Sequence, residues 1–376
     1  MSVGLTAERR ELAGSVRGFV SKNVPMSAVR KLLEDGEGFD RETWRQMAAQ
    51  LGLQGIAVPE IYGGAGYGYA ELAVVLEELG RALVPSPFFG TVALALPALL
   101  ASEDEGALKE FAPGLAGGDL IGTLAWVEDD GNWNGGSRTA ARQAGGGWRL
   151  DGHKSYVIDA RAADVLLVTA EAPNGPSVFA VDARAEGLER KALPTFDLTR
   201  RLGRIELHDT PARLVGEDGA GDQILSATLD RAAVLLAAEM VGGAQACLDM
   251  SVEYAKVREQ FGRPIGSFQA IKHKCAEVLV ELEGARAAAH YAAWSADENP
   301  SELPLVACVA KAVASDAFFH AAAENSQIHG GIGATWEHDA HLYLKRAKTS
   351  SILLGDPTFH RLRIADRLQI ESGKRP

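Results

Sequence analysis

The feature that most limits how this chain can fold is its stretch from residue 222 to 376, where apolar residues recur at three- and four-residue spacing almost without a break. DQILSATLDRAAVLLAAEMVGGAQACLDMSVEYAKVREQFG, SFQAIKHKCAEVLVELEGARAAAHYAAWSA and LPLVACVAKAVASDAFFHAAAENSQIHG each read as one long helix, and a shorter fourth begins near Asp339. Apolar faces this wide demand mutual burial, so the pattern predicts a C-terminal four-helix bundle with some faces meeting other subunits.

The rest of the chain changes period twice. Residues 1–118 read as helical: Leu12, Val16, Phe19 and Val20 mark one stripe, and Trp44, Met47 and Leu51 mark another behind an Asp40 cap. A glycine-rich break at 62–69 precedes AELAVVLEELGRAL, which Pro85 and Pro87 stop. Residues 119–221 hold short runs rich in Val, Ile and Leu, separated by Gly, Asp and Pro, with turn signals at 134–136 and 145–147. The expected fold class is therefore α+β: an N-terminal helical domain (1–118), a central antiparallel β domain (119–221) and the helical bundle (222–376).

A net charge of -12 argues against non-specific nucleic-acid binding, which needs Lys and Arg at phosphates. No 18 consecutive apolar residues occur, so no membrane span is expected, and the N-terminus lacks a signal-peptide pattern, which favours the cytoplasm. Cys247, Cys275 and Cys308 have apolar neighbours and no metal-ligand spacing, and read as small core residues of a reducing compartment.

Two segments carry chemistry. In VREQFGRPIGSFQAIKH (257–273), Arg258 ends a helix, Phe261-Gly262 breaks it, Arg263-Pro264 turns the chain, and Ser267 is placed to cap the helix containing Gln269. Arginines beside a fresh helix start suit a pyrophosphate; the alternative is an ordinary interhelical turn. In QIHGGIGATWEHDAHLYLKRAK (327–348), Gly330, Gly331 and Gly333 permit close backbone approach to a ligand. His329, His338, Asp339 and His341 lack an obvious further ligand, so no metal is expected. The glycines do not form a dinucleotide fingerprint after a strand.

These two segments, in that order, with LQGIAVPEIYGGAGYGYAELAVVLEELGRAL near the N-terminus, resemble the acyl-CoA dehydrogenase family over essentially the whole chain. The resemblance implies a tetramer with FAD between subunits. It implies α,β-dehydrogenation of an acyl-CoA thioester to a 2-enoyl-CoA, with an electron-transfer flavoprotein as acceptor. Arg258 and Phe261 match residues that meet the FAD pyrophosphate and adenine from a neighbouring subunit. Gln269, Gln327, Gly330 and Gly331 match further contacts to the ADP half.

The catalytic half departs from that pattern. Leu354 stands where the family's usual carboxylate base sits, and Ala232 stands near the alternative base position. Glu239, two helical turns and about 10 Å beyond Ala232, is the candidate base, raised in pKa by its apolar surroundings, or else a structural partner of an arginine. Asp356 is the second candidate, with a turn or cap as its other role. In the β domain, Trp126, Val127 and Glu128, and Tyr156, Val157 and Ile158, replace the strands that offer hydroxyls to the flavin ring, leaving Trp126 and Tyr156 only to stack on it. Three readings follow: a subunit of a heterotetramer giving the ADP half of the site to a second acyl-CoA dehydrogenase chain, a self-sufficient homotetramer using Glu239, or a flavin-free structural partner.

Overall fold

A computed structural model describes residues 6–34 and 36–370. Its N-terminal helices are α1 (Ala7–Asn23), α2 (Met26–Glu34), α3 (Arg41–Leu51), α4 (Tyr69–Arg81), α5 (Leu96–Ser102) and α6 (Glu105–Ala116). Local chemistry sets their ends. The Asp40 carboxylate accepts the Thr43 amide at 2.9 Å to start α3, and Gly52, at φ 60°, closes it. The predicted stripes face inward: Val16, Phe19 and Val20 on α1, and Trp44 and Met47 on α3, are buried. Between α4 and α5 the chain runs as a π-helical stretch, Phe89–Ala95.

Seven strands follow: β1 (Gly122–Ala125), β2 (Ala140–Ala144), β3 (Gly147–Ile158), β4 (Val165–Ala172), β5 (Gly175–Asp182), β6 (Leu188–Ala192) and β7 (Leu202–Val215). They lie in the order β1-β4-β2-β3-β7-β5, with β6 on β7, and the sheet closes on itself because β4 also pairs β5. Gly145 and Gly146, both at positive φ, make the β2–β3 hairpin. Most ladders are antiparallel as expected. The correction is β4, which pairs β1 in parallel along four residues and touches β2 in parallel at Ala140 and Glu171. Parallel neighbours need a long crossover rather than a tight turn, and the β2–β3 hairpin supplies it between β1 and β4.

The C-terminal helices are α7 (Gly221–Val257), α8 (Gln269–Glu298), α9 (Leu303–His329), α10 (Ala340–Ile352) and α11 (Pro357–Arg367). The fourth predicted helix arrives as two, because Asp356 caps a new start by accepting the Phe359 amide at 2.7 Å, with Pro357 at its first position. The stretch Leu303–Ala334 is long and apolar enough to cross a membrane by length and composition, yet 61% of its apolar 18-residue window is buried inside the protein.

Packing groups the chain into two compact units. One combines Met1–Val29, Tyr69–Val84 and Ala233–Pro376; the other combines Arg30–Gly68 and Pro85–Ala232. In the first, α4 lies in backbone contact with α7. A Cβ on Gly80 would sit 2.1 Å from the Glu239 carbonyl oxygen, and one on Gly242 would sit 1.8 Å from that of Glu77. Asp297 of α8 holds the start of α4, accepting the Tyr69 and Ala70 amides at 2.8 and 3.0 Å.

Gly242→Ala forces two helices apart and is expected to cost about 3 kcal/mol or more. Gly14→Ala, where the added methyl meets nothing within 4 Å, should be neutral or gain up to about 1 kcal/mol. Thermal melting of the two variants side by side measures the contrast; equal melting points would show that the α4–α7 crossing is not tight.

Candidate functional site

The long helix α7 ends at Val257, and the next seven residues form a small hairpin. Glu259–Gln260 pairs with Arg263–Pro264, and Phe261 and Gly262 turn the tip at φ 52° and 75°. Phe261 is 92% exposed, and Arg258 and Arg263 are exposed beside it. The Arg263 guanidinium lies 4.2 Å over the Phe268 ring. Gln269 opens α8, also exposed. Ser267 does not cap that helix as its position suggested. A single 3-10 turn, Ile265–Ser267, intervenes and shifts the helix start so that Phe268 stands at the cap without a side-chain bond.

The second segment begins where α9 ends. Gln327, Gly330 and Gly331 are exposed, and a Cβ on either glycine would meet nothing within 4 Å. Gly330 sits at φ 65°, ψ -142°, which only glycine adopts freely. The two segments spring from adjacent places. The Tyr254 ring, one turn before the hairpin, stacks on His329 with centroids 4.2 Å apart. One turn earlier, Ser251 donates to the Asn325 side chain at 3.1 Å. Exposed guanidinium donors, an exposed aromatic tip and bare glycine backbone on neighbouring helix ends fit the diphosphate and adenine of a dinucleotide.

The catalytic candidates have other duties. Glu239 is buried, and its Oε1 accepts from Arg346 Nη1 at 2.9 Å. Ala232 is fully buried on the same helix. Leu354 is buried at φ 61°, a strained conformation for leucine, and is followed by Gly355 at φ 100°. Its turn is braced from two sides. His360 Nε2 lies 3.0 Å from the Leu354 carbonyl, and Lys311 Nζ donates to the carbonyls of Gly355 and Ser351 at 3.0 and 3.4 Å. Lys311 has no solvent exposure, and burial pushes its ammonium down to about 7 against a partial opposing pull from Asp356 and Asp316. Burial, then the Lys311 and Arg363 charges, push His360 down to about 3, so the imidazole is neutral.

In the β unit, the Glu128 carboxylate is held through its Oε1. It accepts from Lys154 Nζ at 3.0 Å, from the amides of Arg138 and Thr139 at 2.8 and 3.0 Å, and from the Thr139 hydroxyl at 3.1 Å. Burial works to raise its pKa, but Lys154 and the backbone donors win and hold the carboxyl at about 2. Val127, Val157 and Ile158 are buried and offer no hydroxyl. Trp126 is buried against Trp133 at 5.7 Å, so it does not offer its face as expected, while Tyr156 remains 39% exposed at φ 56°. These residues do not fit a flavin ring as the family's hydroxyl-bearing strands would.

Sequence reasoning missed Lys311, His360 and Lys154. The one available signal was Lys311 itself, a lysine inside the apolar run LVACVAKAVAS. Among the described residues no three His, Cys, Asp or Glu side chains gather as a metal set.

Lys311 generates a pH prediction. Its pKa is about 7 folded and near 10.5 unfolded, so unfolding takes up a proton between those values and stability rises with pH through that window. From pH 7 to 9 the wild type should gain on Lys311→Met by up to about 1.4 kcal/mol per pH unit. Urea unfolding at several pH values reads this directly, and parallel curves would place the proton elsewhere.

Comparison with known proteins falls on this ground. The acyl-CoA dehydrogenase N-terminal domain family matches residues 6–119, and the C-terminal domain family matches residues 219–369. The chain is 38% identical to the acyl-CoA dehydrogenase IpdE2 of Mycobacterium tuberculosis, over 93% of this chain and 94% of that one. Among solved structures it is similar to a chain of the ChsE4-ChsE5 complex from Mycobacterium tuberculosis, at 31% identity and TM-score 0.90, covering 99% of this chain and 100% of that one. It is also similar to a chain of the Tcur3481-Tcur3483 steroid ACAD, at 33% identity and TM-score 0.86, covering 97% and 99%.

Proposed function

This chain belongs to the acyl-CoA dehydrogenase family, and we propose that it works there as one subunit of a heteromeric enzyme, lending the ADP half of an FAD site to a partner chain. The observation that carries the reading is the split between its two halves. Arg258, Phe261, Gln269, Gln327, Gly330 and Gly331 are exposed on neighbouring helix ends. The catalytic positions hold Leu354 and Ala232, and Glu128 is locked by Lys154. What FAD supplies when bound is a hydride acceptor for the β-carbon of an acyl-CoA thioester. This chain's residues would neutralise the diphosphate with Arg258 and close over the adenine with Phe261. The α-proton would go to a carboxylate of the partner, and electrons would leave through an electron-transfer flavoprotein. The likeness to a steroid ACAD supports a bulky, polycyclic acyl group as substrate class.

The self-sufficient reading needs Glu239 as base. Its ion pair with Arg346 speaks for the structural role, because a proton acceptor must be free to approach substrate and this carboxylate is held inside the bundle. Removing one partner of such a pair leaves a buried charge alone. Glu239→Gln is therefore expected to cost about 3 kcal/mol or more of stability. Turnover per folded, flavin-loaded molecule should be unchanged; a folded but inactive variant would restore Glu239 as base.

The main test is flavin stoichiometry. The chain purified alone should be colourless, and co-expression with a second acyl-CoA dehydrogenase chain should give a yellow complex that oxidises acyl-CoA. In that complex Arg258→Ala removes a charge-assisted contact and should weaken flavin retention by roughly 10- to 100-fold with an unchanged melting point. A yellow, active chain on its own would overturn the subunit reading, and full retention by Arg258→Ala would overturn the ADP assignment.

A further inference from the structure

The exposed glycine loop has an aromatic floor. We propose that Tyr254, His329 and His338 form a ring-packed clasp that positions the 330–333 loop against the root of the 258–264 hairpin. The three act as positioning residues for the nucleotide half of the site. The proposal rests on reading those two segments as that half.

Three rings join three separate places in the chain. Tyr254 lies in the last turn of α7, and its carbonyl accepts the Arg258 amide at 2.8 Å, so the ring and the arginine's backbone move as one. His329 is the last residue of α9, immediately before Gly330. His338 stands on the far side of the loop, just before α10. Its ring packs on His329 with centroids 4.2 Å apart and the planes tilted by 42°, while the Tyr254 ring stacks on His329 at the same separation with the planes 29° apart. Ring pairs in such close contact attract one another.

Hydrogen bonds fix how the two imidazoles stand. His329 Nδ1 lies 2.8 Å from the Asn325 carbonyl, which can only accept, so this nitrogen carries the proton. His338 Nδ1 accepts the Ala340 amide at 3.1 Å, so its proton is on Nε2. Each ring is thereby tied to its own helix while it stacks on the other. The loop between them folds back tightly. Thr335 donates its amide and its hydroxyl to the Ile332 carbonyl at 3.0 and 2.9 Å. Gly333 is buried, and a Cβ there would sit 2.7 Å from the Ser326 carbonyl oxygen. Gly330 and Gly331 are the opposite case, with open space where a Cβ would go. The loop is fixed at its base and bare at its crest, which suits backbone held ready for a ligand rather than buried for stability.

The test uses the full chain and the co-expressed complex. In the full chain, His338→Ala should speed amide hydrogen exchange in 330–338 by at least tenfold while exchange in the interiors of α7 and α9 stays unchanged. In the complex, the same variant should weaken flavin retention about tenfold. His338→Phe keeps a ring and should restore both readouts, although it cannot accept the Ala340 amide. Tyr254→Leu, at the other end of the stack, should repeat the loss. Wild-type exchange and retention in His338→Ala would overturn the clasp, as would a His338→Phe variant no better than alanine. Arg258→Ala separates the two levels. If it releases flavin while His338→Ala has no effect, the clasp fails alone; if neither variant releases flavin, the nucleotide reading fails with it.

Discussion

The contact between α4 and α7 at Gly80 and Gly242 organises the helical unit. With no side chain at either crossing point, the two backbones touch, and the side chains flanking them are brought within ion-pair reach of other helices. Glu77 of α4 meets Arg286 at 3.3 Å and His290 at 3.1 Å on α8, and Glu78 meets Arg17 of α1 at 2.6 Å. The Tyr343 hydroxyl of α10 donates to the Arg81 carbonyl at 2.7 Å, at the end of the same helix. The crossing also decides the fate of Glu239. A side chain on Gly80 would strike its backbone and, at 2.8 Å, its Cγ, so α4 walls off that face and the carboxylate turns to Arg346. The feature that packs the bundle is thus also the one that turns the Glu239 carboxylate toward Arg346.

Which parts of this were legible in the sequence follows from the range over which each signal acts. Asp40 and Thr43 are three residues apart, and Gly145-Gly146 sits inside its own turn, so cap and hairpin could be read directly. The long helices were legible because period and length both pointed one way. The two segments singled out by motif were legible as segments, and the structure places their residues on neighbouring exposed ends. Partnerships across the fold were not legible. Arg346 is 107 positions from Glu239, and Lys154 is 26 from Glu128. Nothing in a one-dimensional pattern distinguishes an ion-paired glutamate from a poised one. Ser267 failed for a smaller reason: a single 3-10 turn moved the helix start by one residue.

The turn at Leu354 shows why a fold can outlast its chemistry. A non-glycine residue at positive φ is strained, and it persists only where the surroundings impose it. Here they do, since His360 and Lys311 bind the carbonyls of Leu354, Gly355 and Ser351, and Asp356 then starts α11. Those bonds go to backbone atoms, which every residue type carries. The side chain at 354 is therefore free of the constraint that shapes the turn, and a leucine can replace a carboxylate without loosening the α10–α11 junction. The glycine loop is under the opposite rule. Gly330 stands in a conformation that only glycine adopts freely, so there the backbone form and any use of it are tied to the absence of a side chain. A chain that lends nucleotide contacts to a partner and leaves proton abstraction to it would be free to change at the first kind of position and bound to keep the second.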